Sequence, residues 1–201
     1  MRQVNAAPAL SLAGLARRGA GANIRPMDTA HLIYFSDPMC SWCWGFSPVI
    51  AAIEEQFRGR LPISLLMGGL RPYTVEPMPD KDRATIREHW QHVAARTGQP
   101  FDYAFFERPE FVYDTEPASR AVVTAQALRP GSGLDMLKAV QRGFYAENRD
   151  VTDEDVLAEI AVEEGFEAEM FAAALASDEA RAATREGFAT SQNAGIRGFP
   201  A

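Results

Sequence analysis

Asp37-Pro38-Met39-Cys40-Ser41-Trp42-Cys43-Trp44-Gly45-Phe46 holds both cysteines of a 201-residue chain within four positions. The stretch follows a short aromatic and β-branched run, His31 to Ser36, that reads as a buried strand closed by the turn-forming Asp37-Pro38. After it, apolar residues recur at Phe46, Val49, Ile50, Ile53 and Phe57, the spacing of a helix running from Ser41 to about Arg58 and closed by Gly59, with Pro48 expected to kink it. Leu61 to Met67 is a second strand candidate, ended by Gly68-Gly69. Strand, helix, strand is long enough for a right-handed parallel crossover, and it places the cysteines where a strand turns into a helix.

Outward from this unit the pattern becomes helical. Ile86, Trp90, Val93 and Ala94 mark one amphipathic helix, Ala121 to Leu128 a second, and Leu134, Leu137, Val140 and Phe144 a third. Thr152 reads as the N-cap of a fourth, with Val151 and Val156 as a hydrophobic staple and Gly165 as its stop. Residues 76–175 are therefore read as a helical insertion between a first part, 27–75, and a return segment, 176–201. In the latter Ser177 caps a last helix that runs toward Gly195. Residues 1–26, rich in Ala, Gly and Arg, read as a disordered tail. Arg17 and Arg18 interrupt their brief apolar patch, so a start at Met27 and a cytoplasmic location are expected.

Composition bounds the function. A chain with 47% hydrophobic residues and a net charge of -7 is an ordinary globular acidic protein without the basic balance of a nucleic-acid binder. Its apolar runs are too short to span a bilayer, so neither nucleic acid nor membrane is an expected partner. A disulfide across so short a loop removes little entropy from the unfolded chain, and chemistry explains the pair better than stabilisation.

That chemistry needs a thiolate, and a free cysteine with a pKa of about 8.5 is only a few per cent ionised at pH 7. Cys40 stands at a helix start, where unpaired N–H groups and the helix dipole favour the anion, and Cys43 lies one turn deeper. Cys40 is thus the candidate attacker and Cys43 the candidate resolver of a mixed disulfide. Half a zinc site completed by His89 and His92 is the alternative. The close spacing of that His pair, its separate helix and the lack of knuckle glycines count against it, and both histidines read as solvated. Trp42, Trp44 and Phe46 crowd the same helix start as a potential apolar platform. Of these Trp42 is assigned to substrate contact, and packing explains Phe46 better.

The Cys-Ser-Trp-Cys stretch, the proline eight positions after the first cysteine and the closing Gly195-Ile196-Arg197-Gly198-Phe199-Pro200 together resemble the DsbA-like family, in its protein-disulfide isomerase branch. The resemblance runs from about His31 to the end and implies an α/β thioredoxin-like fold with a large helical insertion. It implies a thiol-disulfide oxidoreductase or isomerase that exchanges disulfides with polypeptides, and with glutathione as a further partner, using no cofactor and no metal. It also implies a cis Phe199-Pro200 bond lying against the cysteines and shaping the peptide groove. Kappa-type glutathione transferases and hydroxychromene carboxylate isomerases share this fold and supply the alternative function, although such relatives generally lack a complete cysteine pair. Two departures stand out. The family commonly has a buried carboxylate six residues before the first cysteine, where this chain has Tyr34, leaving Asp37 or water to handle protons. The sequence also stops one residue after Pro200, which reads as a truncation of the family fold. A mobile Phe199-Pro200 loop, a Cys40 more exposed than in a longer relative, and association through an open sheet edge are expected from it.

Overall fold

A computed structural model describes residues 30–108 and 110–201, and the expectations for the tail at 1–26 and the start at Met27 lie outside them. Two strands, β1 (Leu32–Ser36) and β2 (Ile63–Met67), pair in parallel with Tyr34 opposite Leu65. Between them runs α1 (Ser41–Gln56), which completes the expected crossover. The helical residues follow as α2 (Asp80–Thr97), a 3-10 turn (Tyr103–Glu107), α3 (Glu116–Leu128), α4 (Gly133–Tyr145), α5 (Glu154–Glu163) and α6 (Ala168–Leu175). The chain then returns along α7 (Asp178–Asn193), which packs against β2.

Local chemistry sets the helix ends. Ser177 accepts the Ala180 N–H at 3.1 Å and starts α7 as its sequence requires. The start of α5 differs from expectation by one residue. Its cap is Asp153, whose carboxylate accepts the Asp155 N–H, while the Thr152 hydroxyl donates to Asp150 instead, so Val151 and Val156 do not form a staple about a Thr152 cap. A carboxylate two residues upstream simply outcompetes the backbone for that hydroxyl. The short α6 buries Phe171 and Leu175, four residues apart on one face, and is set off by Glu167, which caps both Glu169 and Met170.

The core is an aromatic cluster centred on Trp90. Phe105 stacks on it at 4.9 Å between centroids, while Phe106, Phe144 and Tyr145 meet it edge-on at 4.8, 5.7 and 4.9 Å. Each such pair contributes about 0.5–1.5 kcal/mol beyond the area it buries. The cluster reaches α1 through Trp44, which lies parallel to Tyr145 and donates its indole N–H to the Pro100 carbonyl at 3.0 Å. Trp44 is therefore core and no part of a surface platform. Where α1 crosses α2, a Cβ on Gly45 would stand 2.9 Å from Val93 and Thr97, so glycine permits the close approach. Pro48 frees the Trp44 carbonyl from the helix ladder, and the Ser47 hydroxyl and the Gln99 amide both donate to it.

The loop expected to be mobile is tied on both sides. Phe35 and Ala201 exchange two backbone hydrogen bonds, of 2.8 and 3.1 Å, the pattern of an antiparallel pair on the edge of β1. On its other side the Phe199 ring lies against Gly68, where a Cβ would fall 2.0 Å from the ring. The Phe199–Pro200 peptide is cis.

Candidate redox site

Cys40 is the N-cap of α1, in extended conformation, and both cysteines are free thiols. The Trp44 N–H bonds the Cys40 carbonyl and opens the helix, leaving the N–H groups of Trp42 and Cys43 directed at the Cys40 sulfur. The Cys40 thiol is held below its ordinary pKa, chiefly by a hydrogen bond from the Cys43 thiol and further by those two N–H groups. Burial and the Asp37 charge oppose the effect. Cys43 behaves in the opposite sense. Burial, with the hydrogen bond to Cys40 next, pushes its thiol well above the usual range. The dipole argument from sequence found the direction for Cys40 but missed its largest cause, the neighbouring thiol.

Cys40 is only 7% exposed and Cys43 fully covered. The Cys40 thiol donates to the Phe199 carbonyl at 3.4 Å, so the loop expected to lie against the cysteines does so. Trp42, between them, is 41% exposed and meets the His92 ring edge-on at 5.7 Å. That contact places His92 at the rim of the site while His89 remains exposed on α2. Phe46 packs on Tyr34 at 6.0 Å, as its spacing suggested.

Asp37 is fully buried beside the pair. Its Oδ1 accepts the Met39 N–H at 2.9 Å and its Oδ2 the Leu70 N–H at 2.7 Å, which joins the loop before Cys40 to the loop after β2. Burial raises its pKa to about 6 against the two N–H bonds and one from Thr115. Its charge disfavours the Cys40 thiolate, and its backbone N–H favours the Cys43 anion. A second clamp was invisible in the sequence. The Tyr113 hydroxyl donates to the Met39 carbonyl at 2.6 Å, and the Arg71 guanidinium lies over the Tyr113 ring. Tyr113 stands in an irregular segment with no periodicity to mark it, so nothing in the linear pattern announced it.

A segment turning from strand into helix through two unlike thiols, under the Phe199-Pro200 loop, can carry disulfide exchange. The sequence matches the DSBA-like thioredoxin domain over residues 31–201. The chain belongs to that family. Its fold is similar to that of a candidate protein disulfide isomerase from Nitrosomonas europaea, with 41% identity and a TM-score of 0.79 over 87% of this chain and 83% of the other. It is also similar to the cytosolic disulfide reductase DsbM from Pseudomonas aeruginosa, at 34% identity and a TM-score of 0.71, covering 85% and 82% of the two chains. The ClpXP adapter protein SpxH of Bacillus subtilis is 26% identical over 147 residues, 73% of this chain. The chain spans about half the length of that relative, 48%. These likenesses make the family one of thiol-disulfide oxidoreductases. Among the described residues no helix is long and apolar enough to cross a membrane.

Proposed function

We propose that this protein exchanges disulfides with polypeptides, Cys40 attacking as the thiolate and Cys43 resolving the mixed disulfide. The observation that carries this reading is the asymmetry of the pair. Cys40, at 7% exposure the more accessible of the two, has a lowered pKa, while Cys43 is fully buried with a raised one. A low-pKa thiol is both the better nucleophile near neutral pH and the better leaving group, and a fully buried protonated partner waits until the first bond has formed. Trp42 on one side and Phe199-Pro200 on the other form the walls along which an extended segment would lie.

Reduction is the favoured direction, in a cytoplasmic setting. The Pseudomonas aeruginosa relative is described as a cytosolic disulfide reductase, and a reducing compartment holds such pairs as dithiols. Glutathione is the favoured small thiol partner, because a structure of that reductase with glutathione matches this chain at a TM-score of 0.70 and 33% identity. The test is turnover of a disulfide-bonded polypeptide such as insulin, with glutathione as electron donor. Wild type should accelerate reduction and Cys40→Ser should not. A wild-type rate equal to the protein-free rate would refute the reading.

A further inference from the structure

Cys43 must lose a proton from a fully buried position, and two buried hydroxyls, those of Ser36 and Tyr34, lie around it. On β1, Tyr34 and Ser36 are two apart and share one face of the strand. On α1, Cys43 and Phe46 are three apart and share one face of the helix. The Tyr34 ring rests on Phe46, which sets the two faces against each other. Tyr34 is 3% exposed, and Ser36 and Cys43 are fully buried.

Neither the Tyr34 nor the Ser36 hydroxyl has a hydrogen-bond partner of normal geometry. The Ser36 hydroxyl nevertheless stands close enough to Tyr34 and Cys43 to lower the pKa of both. Buried hydroxyls without partners cost free energy, and phenylalanine and alanine would fill the same space without that cost. Two such hydroxyls side by side against one thiol are explained if their partner exists only in another state of the site. Burial, and then the Cys43 charge, push the Tyr34 hydroxyl far above its ordinary range. It therefore keeps its proton and can only donate toward an anion beside it.

We propose that Tyr34 and Ser36 are the hydrogen-bond donors that stabilise the Cys43 thiolate as it resolves the mixed disulfide. In that step the Cys43 sulfur forms a bond to the Cys40 sulfur, and the bond from Cys40 to the substrate sulfur breaks. The electron pair leaves on the substrate thiolate, and the proton given up by Cys43 ends on it as R–SH. The hydroxyls lower the barrier by meeting negative charge where it develops, at a fully buried sulfur.

This inference rests on the reading of Cys43 as resolver. The test follows one turnover of reduced protein with glutathione disulfide, by acid quench and intact mass, in wild type, Tyr34→Phe and Ser36→Ala. The variants should accumulate the glutathione adduct on Cys40, with resolution slowed at least tenfold and its pH profile shifted to higher pH. Their melting temperatures should equal or exceed wild type, since an unpaired hydroxyl is removed. Resolution at the wild-type rate in both variants, or slowing that tracks a fall in melting temperature, would overturn the proposal. Should wild type form neither adduct nor disulfide, the failure lies with the exchange reading itself.

Discussion

Replacing Asp37 by asparagine should flatten the pH dependence of stability between pH 4 and pH 7. The carboxyl is fully buried, and its pKa rises from 3.8 to about 6 on folding, so the folded chain holds this proton more tightly than the unfolded one. The ionised form therefore destabilises the fold. That cost is fully present above pH 6 and disappears as the pH falls below about 4, because the folded state binds the extra proton in this window. A rise from 3.8 to about 6 corresponds to about 3 kcal/mol in full. An asparagine side chain carries no charge at any pH, and its amide nitrogen replaces one of the two acceptors bonded to Met39 and Leu70 N–H, a pH-independent loss of about 1–3 kcal/mol. Guanidinium unfolding at pH 4, 5, 6 and 7 for both proteins isolates the charge contribution. The stability difference, wild type minus variant, should fall by about 2–3 kcal/mol from pH 4 to pH 7. Parallel profiles would show that Asp37 is not strained by its burial.

The same substitution should move the chemistry. The Asp37 charge opposes the Cys40 thiolate, so Asp37→Asn should shift the thiolate absorbance titration of Cys40 to lower pH, and an unmoved titration would place the carboxylate too far away to act. Gly68→Ala would set a methyl 2.0 Å from the Phe199 ring and should expel that half-buried ring, cutting polypeptide reduction at least tenfold with little loss of melting temperature; unchanged turnover would remove Phe199 from the groove. Arg120, buried on α3, bonds the buried Glu116, Glu154 and the Leu175 carbonyl. Its replacement by alanine leaves Glu116 buried without its cation and should cost about 3–5 kcal/mol in chemical denaturation, whereas a cost below about 1 kcal/mol would mean that water relieves the charge.

The strand, crossover helix and second strand were legible because each has a short, clean apolar pattern bounded by Asp-Pro or Gly-Gly. The helix starting after Ser177 was legible because a serine followed by two acidic residues is a strong start signal. The α5 cap was misplaced because Thr152 and Asp153 are both good caps and only tertiary geometry decided that Thr152 bonds Asp150. At the site the pair Cys40 and Cys43 and the Phe199-Pro200 loop could be read in the linear sequence. The clamps from Tyr113 and Leu70, and the placing of the Ser36 and Tyr34 hydroxyls around Cys43, could not. They depend on contacts between residues as far as 74 positions apart, made by a main-chain N–H or a lone tyrosine that carry no local pattern.

The exchange mechanism is tested most directly by trapping. Cys43→Ser, incubated with a disulfide-bonded polypeptide and analysed by non-reducing gel and peptide mass spectrometry, should accumulate a covalent complex through Cys40, while Cys40→Ser should yield none. Adducts on Cys43 in Cys40→Ser, with none on Cys40 in Cys43→Ser, would reverse the roles and contradict the account.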